Sequence, residues 1–200
     1  MTIAFPEAPS EARNAVLDAL KKRAKEKSFL TPQLQGADPG KLDLRYAMRS
    51  VFLPLERIDL HLEPKPLHEL VDAPLWWFLV HTGKKAIAAA YGVEGGPNWR
   101  IGEVAEGPTV EGTEHAVEAA AKDKELQRTR YEPVLLQAPA LDVVAVWLRA
   151  PQPSADMVMP IPPSTAPFAN IYQVMKAASF VQRLYEKAAN IPRNDSARGG

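Results

Sequence analysis

The stretch LWWFLV, residues 75–80, places two tryptophans side by side within six consecutive apolar residues. In a β-strand successive side chains point to opposite faces, so Trp76 and Trp77 must lie on opposite faces of a sheet. A single core on one side of the sheet cannot bury both rings. The second face therefore needs a cover, which is a helix of the same chain, a twin subunit, a ligand or another protein.

The residues that follow this stretch predict a β-hairpin. The loop HTGKK, residues 81–85, separates the aromatic run from AIAAAYGV, residues 86–93. Two apolar runs joined by a short loop that contains glycine are typical of paired antiparallel strands. A turn at Gly83 and Lys84 sets the large aromatic side chains opposite the alanines of residues 86–90. The segment NWRIGEVA, residues 98–105, predicts a third strand next to this hairpin.

Three segments show the spacing of amphipathic helices. Residues 10–27 carry a narrow, alanine-rich stripe behind Ser10 as N-cap, which predicts a helix that docks at the periphery. Residues 108–127 predict a second helix despite Gly112. Residues 168–189 have the widest apolar stripe, with positions three and four apart along one face. Its candidate interface residues are Val174, Val181 and Tyr185.

Further strand signals flank these helices. Residues 58–62 alternate apolar and polar side chains, which predicts a half-buried strand. Pro133 places the strand of residues 130–137 at an edge or a bulge. Residues 141–149 are apolar at nearly every position except Asp142, as in a strand covered on both faces. Residues 151–167 contain six prolines and predict an extended, ordered arm.

This order of elements predicts an α+β fold. We expect a mainly antiparallel sheet of five or six strands packed by helices, because neighbouring strands are joined by short turns and the helices do not alternate regularly with them. An N-terminal helix and a C-terminal proline-rich arm plus helix complete it. The expected divisions are an N-terminal helix and turn segment, a core domain, the arm with its helix, and a disordered tail, which are residues 1–40, 41–150, 151–189 and 190–200.

Composition narrows the classes of function. The chain has 200 residues, no cysteine and a formal net charge of zero. The lack of cysteine excludes disulfides, thiolate zinc sites and iron–sulfur clusters. The chain lacks the excess of basic residues that is typical of proteins that bind nucleic acid. No apolar run approaches the roughly 18 residues that cross a bilayer, and no signal peptide is recognisable. We expect a cytoplasmic protein that binds neither nucleic acid nor membrane and needs no cofactor.

Motifs for chemistry are scarce. The chain has no G-x-x-x-x-G-K-[ST] or G-x-G-x-x-G phosphate loop and no G-x-S-x-G nucleophile turn. Glu111, His115 and Glu118 share a face of the helix predicted over residues 108–127. They are candidates for a metal or acid–base cluster, although a solvated helix face explains them more simply. Asp142 must either reach a strand end near the Ala-Pro-Ala turn or be paired, because burial alone would raise its pKa.

Two further histidines have an acidic or basic neighbour in sequence. His61 lies between Asp59 and Glu63 on the polar side of the predicted strand, where a carboxylate could orient it as a base. A surface ladder of polar side chains is the simpler interpretation. His81 lies at the mouth of the predicted hairpin, and we interpret it as ordinary turn polarity.

The tryptophans allow two interpretations. Either they fill core layers on both sides of the sheet, or one sheet face is a binding surface, since aromatic side chains are frequent anchors of interfaces.

The leading hypothesis for the function is a non-catalytic interaction module, namely an adaptor, assembly factor or accessory subunit that binds a protein partner or forms a homo-oligomer. The alternative is a small-molecule-binding domain or enzyme. Its cavity would lie between the sheet and the helix at residues 110–126, with His115 or Asp142 as the polar group and a lining of Trp76, Trp77, Trp99 and Trp147.

Overall fold

The computed structural model describes residues 3–95, 98–168 and 170–191. In these residues one sheet has eight strands and is accompanied by five α-helices. The helices are α1 (Ser10–Lys25), α2 (Pro32–Gln35), α3 (Leu67–Leu70), α4 (Pro108–Lys122) and α5 (Ala177–Ala189). The strands are β1 (Leu42–Phe52), β2 (Leu75–Thr82), β3 (Lys85–Gly95), β4 (Asn98–Ala105), β5 (Glu132–Ala138), β6 (Val143–Arg149), β7 (Met157–Ile161) and β8 (Met175–Lys176).

The strand order across the sheet is β4-β3-β2-β1-β5-β6-β7-β8. Every neighbouring pair is antiparallel except β1 and β5, which run parallel at the centre. The fold is therefore α+β with a mostly antiparallel sheet, as the sequence predicts. The predicted number of five or six strands is too low, because β1, β7 and β8 have weak sequence signals. Of the predicted disordered tail, residues 192–200 lie outside the described residues.

The prediction of a strand at residues 58–62 is wrong, because the strand in this part of the chain is β1, at Leu42–Phe52. The alternating residues 58–62 do not form a strand but follow a single 3₁₀ turn at Leu55–Arg57. The strand lies earlier in the chain and carries an irregularity in its pairing with β2 between Leu44 and Ala47. Such a bulge shifts the period of two, so the burial pattern of this strand cannot be recognised as a simple alternation.

Pro133 does not mark an edge strand. It lies in β5, which has β1 on one side and β6 on the other. Pairing with β1 begins at Arg49 and Val134, one residue after the proline. The missing N–H of Pro133 therefore lies where the β1–β5 ladder begins, and a proline is tolerated at this end of a central strand.

The C-terminal region differs from the prediction in two ways. Residues 157–161 of the predicted arm are strand β7, and the helix begins at Ala177 rather than at residue 168. Before the helix, Tyr172 has a left-handed backbone with φ 64°, and its N–H donates to the carbonyl of Pro160 at 2.7 Å. These contacts hold the segment before α5 against the sheet in a non-helical conformation. The apolar residues at helical spacing before Ala177 therefore do not belong to the helix.

Both faces of the sheet are covered by helices of the same chain. Residues that pair across neighbouring strands share a face, and the pairings align Trp76, Arg49, Val134 and Trp147 in one row. On this face α1 covers the N-terminal half of the sheet and α5 the C-terminal half. The ring of Trp77 lies on the opposite face, in the core that α4 completes.

Helix α1 is part of this core and not peripheral. Three of its side chains are fully buried, namely Ala12, Val16 and Leu20, and the helix contacts β1, β3 and β4. Gly92 of β3 allows this approach, since a Cβ there would lie 2.9 Å from the ring of Phe78 and 3.6 Å from Val16. The question raised by the paired tryptophans is therefore answered within the chain, by α1 for Trp76 and by α4 for Trp77.

Helix α4 lies very close to the sheet. It contacts β3 on one side of the central strands and β6 and β7 on the other, so the sheet curves around it. A Cβ at Gly112 would lie 2.9 Å from Cδ of Pro162 and 3.2 Å from Cβ of Ile161. The glycine that weakens the helix signal in the sequence is thus what allows the helix to approach β7.

Candidate functional site

A groove opens where the N-terminal part of α5 meets two loops. Its volume is about 600 Å³, and we call it the α5 groove. One wall is residues 64–68, which include the start of α3, and the other is the turn around residues 153–156. The floor is apolar and includes Leu67, Ala177 and Val181.

Hydrogen bonds fix both walls to neighbouring elements. On the first wall, the N–H of Lys65 donates to the hydroxyl of Tyr185 at 3.4 Å. On the second wall, the carboxylate of Asp156 accepts from Nε1 of Trp147 at 2.9 Å and from the N–H of Ala150 at 2.8 Å. The carbonyl of Asp156 accepts the N–H of Ala177, the first residue of α5, at 3.0 Å. The groove is therefore built into the fold and does not depend on loose loops.

The rim of the α5 groove carries free polar groups. The side chains of Lys65, Ser154 and Gln182 make no hydrogen bond or ion pair within the described residues, and His68 has only a 4.0 Å contact with Glu69. An apolar floor within a polar rim is the usual anatomy of a protein interface. Asp156 is buried and holds the second wall in place, because both of its carboxylate oxygens accept hydrogen bonds from that region.

Val181 and Tyr185, which the sequence predicts as interface residues, lie at this groove. Val181 lines it, and Tyr185 anchors its first wall. Val174 lies before α5 and packs on the opposite side of the sheet, in the core completed by α4. The three residues therefore do not form one surface, because the chain is not helical at Val174.

The four tryptophans do not converge on one cavity. Trp76 and Trp99 pack in the core under α1, Trp147 in the core under α5, and Trp77 on the opposite face with α4. The expected aromatic-lined cavity between the sheet and the helix at residues 110–126 is therefore wrong in its lining. Trp76, Trp77 and Trp147 are each at most 4% exposed, so their own chain covers them.

The predicted cluster on α4 is also dispersed. Glu111, His115 and Glu118 each take a different partner, which are respectively Lys85 at 3.3 Å, the ring of Tyr172 at 4.3 Å between centroids, and Lys122 at 3.6 Å. Within the described residues no group of three or more histidine and acidic side chains is arranged to hold a metal ion. Burial, and secondarily the charge of Glu111, raises the pKa of Tyr172 above its usual value.

Among the ionisable residues, His81 is where the structure departs most from the sequence-based prediction. The sequence suggests turn polarity, but the side chain is only 1% exposed. Its Nε2 lies 2.8 Å from Oε1 of Glu114, and its Nδ1 lies 3.3 Å from the carbonyl of Leu79. Glu114 also accepts the N–H of Ala86 at 3.1 Å. This pair joins the β2–β3 hairpin to α4, and its burial keeps the imidazole out of reach of a substrate.

The remaining candidate residues lie near the surface. Asp59, His61 and Glu63 are on an exposed turn, where the N–H of His61 donates to Asp59 at 2.9 Å. They do not form the ladder of a strand. Asp142 lies at the exposed turn between β5 and β6, as the simpler interpretation of the sequence predicts.

Two features were not recognisable in the sequence. The walls of the α5 groove come from three segments that are distant in the chain, and no motif links them. A polar trio formed by the buried Ser50 and Tyr91 and the half-buried Gln137 bridges β1, β3 and β5. Only strand pairing brings its members together, so their spacing in sequence carries no signal.

Comparison with known proteins adds no functional information, because no family model, curated protein or solved structure matches the chain. None of the helices in the described residues is long and apolar enough to cross a membrane.

Proposed function

We propose that the protein is a non-catalytic interaction module that holds a short segment of a partner protein in the α5 groove. The observation that carries this proposal is a groove of about 600 Å³ with an apolar floor and unpaired polar side chains on its rim. The sheet faces are a weaker candidate, because α1, α4 and α5 cover them. A groove of this size fits a short segment of a partner rather than the surface of a whole domain.

The absence of cysteine makes a direct test possible. A single-cysteine variant, Ala178→Cys, places a photoactivatable cross-linker at the groove. Asp18→Cys is the matched control, because it lies on the exposed side of α1. We expect one protein to be cross-linked from position 178 and not from position 18, in extracts of the host organism.

A second variant shows whether the groove itself is required. Ala178→Trp fills the groove from an exposed helix position, so the fold should persist while binding is lost. Asp18→Trp adds the same ring elsewhere. A partner captured equally by both tryptophan variants would refute the proposal. Truncation before α5 is a poor test, because it removes the fully buried Phe180 and Leu184 and would unfold the core.

The alternative function is small-molecule binding at the same groove. Its volume falls within the range of about 300–1,000 Å³ that is usual for ligand pockets. Native mass spectrometry separates the two proposals. A small added mass that disappears in Ala178→Trp, with no protein adduct, would favour the small molecule.

A further inference from the structure

A second pocket, of about 500 Å³, lies at the turn between β5 and β6. We call it the Asp142 pocket. Its apolar walls are Pro139, Val143, Val144 and Pro163, and its polar members are Gln137, Asp142 and Thr165. It lies at the end of the sheet and shares no residue with the α5 groove.

The amide donor of Gln137 is already used, and the hydroxyl of Thr165 is the one side-chain donor of the pocket without an acceptor among the described residues. Nε2 of Gln137 donates to the hydroxyl of Tyr91 at 2.6 Å and to Oγ of Ser50 at 3.0 Å. Ser50 is fully buried, so the amide group is held in place from beneath. The carbonyl Oε1 of Gln137 has no partner among the described residues and is an open acceptor.

The backbone donors are used as well. The N–H groups of Asp142 and Thr165 donate to the carbonyls of Pro139 and Asp142, each at 3.0 Å. The N–H of Val144 donates to Oγ of Ser164 at 2.8 Å. Pro139 and Pro163 have no N–H to offer. The groups of the pocket that remain open to a ligand are therefore mainly oxygens.

The negative charge of Asp142 also favours a ligand that donates hydrogen bonds. The carboxylate of Asp142 has no ion pair or hydrogen bond within the described residues and stands at the exposed turn. Lys187 already places an ammonium group against this loop, where its Nζ donates to Oγ1 of Thr165 at 2.6 Å and to the carbonyl of Ala166 at 2.7 Å. Oxygens of this loop thus already hold one ammonium group, while Asp142 is left without one.

We propose that the Asp142 pocket binds a primary amine in its ammonium form, attached to a compact apolar body. The ammonium donates to the carboxylate of Asp142 and to Oε1 of Gln137, and charge assistance makes the first of these the stronger bond. The apolar body packs on the prolines and valines of the wall. This inference does not depend on the function proposed for the α5 groove.

Titration of the 200-residue chain with benzylamine, followed by amide NMR shifts, tests the proposal. Benzyl alcohol and benzoate have the same ring with a neutral and an anionic group. We expect shifts at residues 137–144 and 163–165 with the amine, and binding at least about tenfold weaker for the alcohol, since hydrogen bonds to charged groups are the stronger ones. Equal binding of the alcohol, or amine shifts confined to other regions, would overturn the proposal.

The matched variants are Asp142→Asn and Asp18→Asn, which remove the same charge at two places. Asparagine tolerates the left-handed backbone of position 142, where φ is 47°, so the turn is preserved. We expect Asp142→Asn to weaken benzylamine binding by about tenfold or more and Asp18→Asn to leave it unchanged. Equal affinities in the two variants would show that the carboxylate of Asp142 is not the ammonium site.

Discussion

Removing the carboxylate of Glu114 should destabilise the protein strongly. In Glu114→Ala, Nε2 of His81 loses a partner at 2.8 Å and the N–H of Ala86 loses one at 3.1 Å. Each buried polar group left without a partner costs about 1–3 kcal/mol. Because the side chain of Glu114 is 16% exposed, water replaces part of what is lost. We therefore expect a loss of about 2–4 kcal/mol in the free energy of unfolding.

Urea denaturation followed by tryptophan fluorescence measures this loss. Glu118→Ala is the matched control, since it makes the same change on the same helix at a side chain that is 52% exposed. Its pair with Lys122 is worth about 0.5 kcal/mol at most on a helix surface. A double-mutant cycle with His81→Ala should give a coupling of at least about 1 kcal/mol. If Glu114→Ala loses no more stability than Glu118→Ala, the pair does not join the hairpin to α4.

Three further perturbations test other parts of the structure. Gly112→Ala should lower the free energy of unfolding by about 1–2 kcal/mol, and the melting temperature with it, because its Cβ would lie 2.9 Å from Pro162 although alanine favours helix; unchanged or higher stability would show that α4 packs less closely. Arg49→Ala removes a guanidinium 3.9 Å above the ring of Trp76, so we expect a loss of about 1 kcal/mol and a red-shifted fluorescence, whereas an unchanged spectrum would argue against the contact. Glu111→Gln should lower the raised pKa of Tyr172 in an ultraviolet titration, and an unmoved pKa would remove Glu111 as a cause. Because the folded pKa of Tyr172 is raised, its contribution to stability is complete below the ordinary pKa of about 10 and declines as the pH rises through the folded value.

The hairpin and the paired tryptophans were predictable because their signals are local. Thr82 pairs with Lys85 and His81 with Ala86, as a turn at Gly83 and Lys84 requires. An irregularity next to His81 then shifts the register by one residue, so Phe78 pairs with Ala90. The apolar run of β6 is buried on both faces, as its composition indicates. In both cases adjacent residues in sequence determine the outcome.

The sites were predictable only in part, because helical spacing indicates Val181 and Tyr185 but the signals of the other members are not local. The α5 groove joins residues 64–68, 153–156 and the start of α5, which only the folded sheet brings together. The place of His81 next to a turn in the sequence predicts an exposed polar side chain. In the structure it is buried against Glu114 of α4, next to an irregularity in the β2–β3 pairing. A single sequence carries no record of either contact.

Native mass spectrometry of the protein purified gently from its own host tests the central claim most directly. We predict a stoichiometric second protein on the unmodified chain that is absent from Ala178→Trp and retained by Asp18→Trp. The same complex in all three samples would place the partner elsewhere on the surface. A bare chain in all three would contradict the proposal that the α5 groove holds a partner segment.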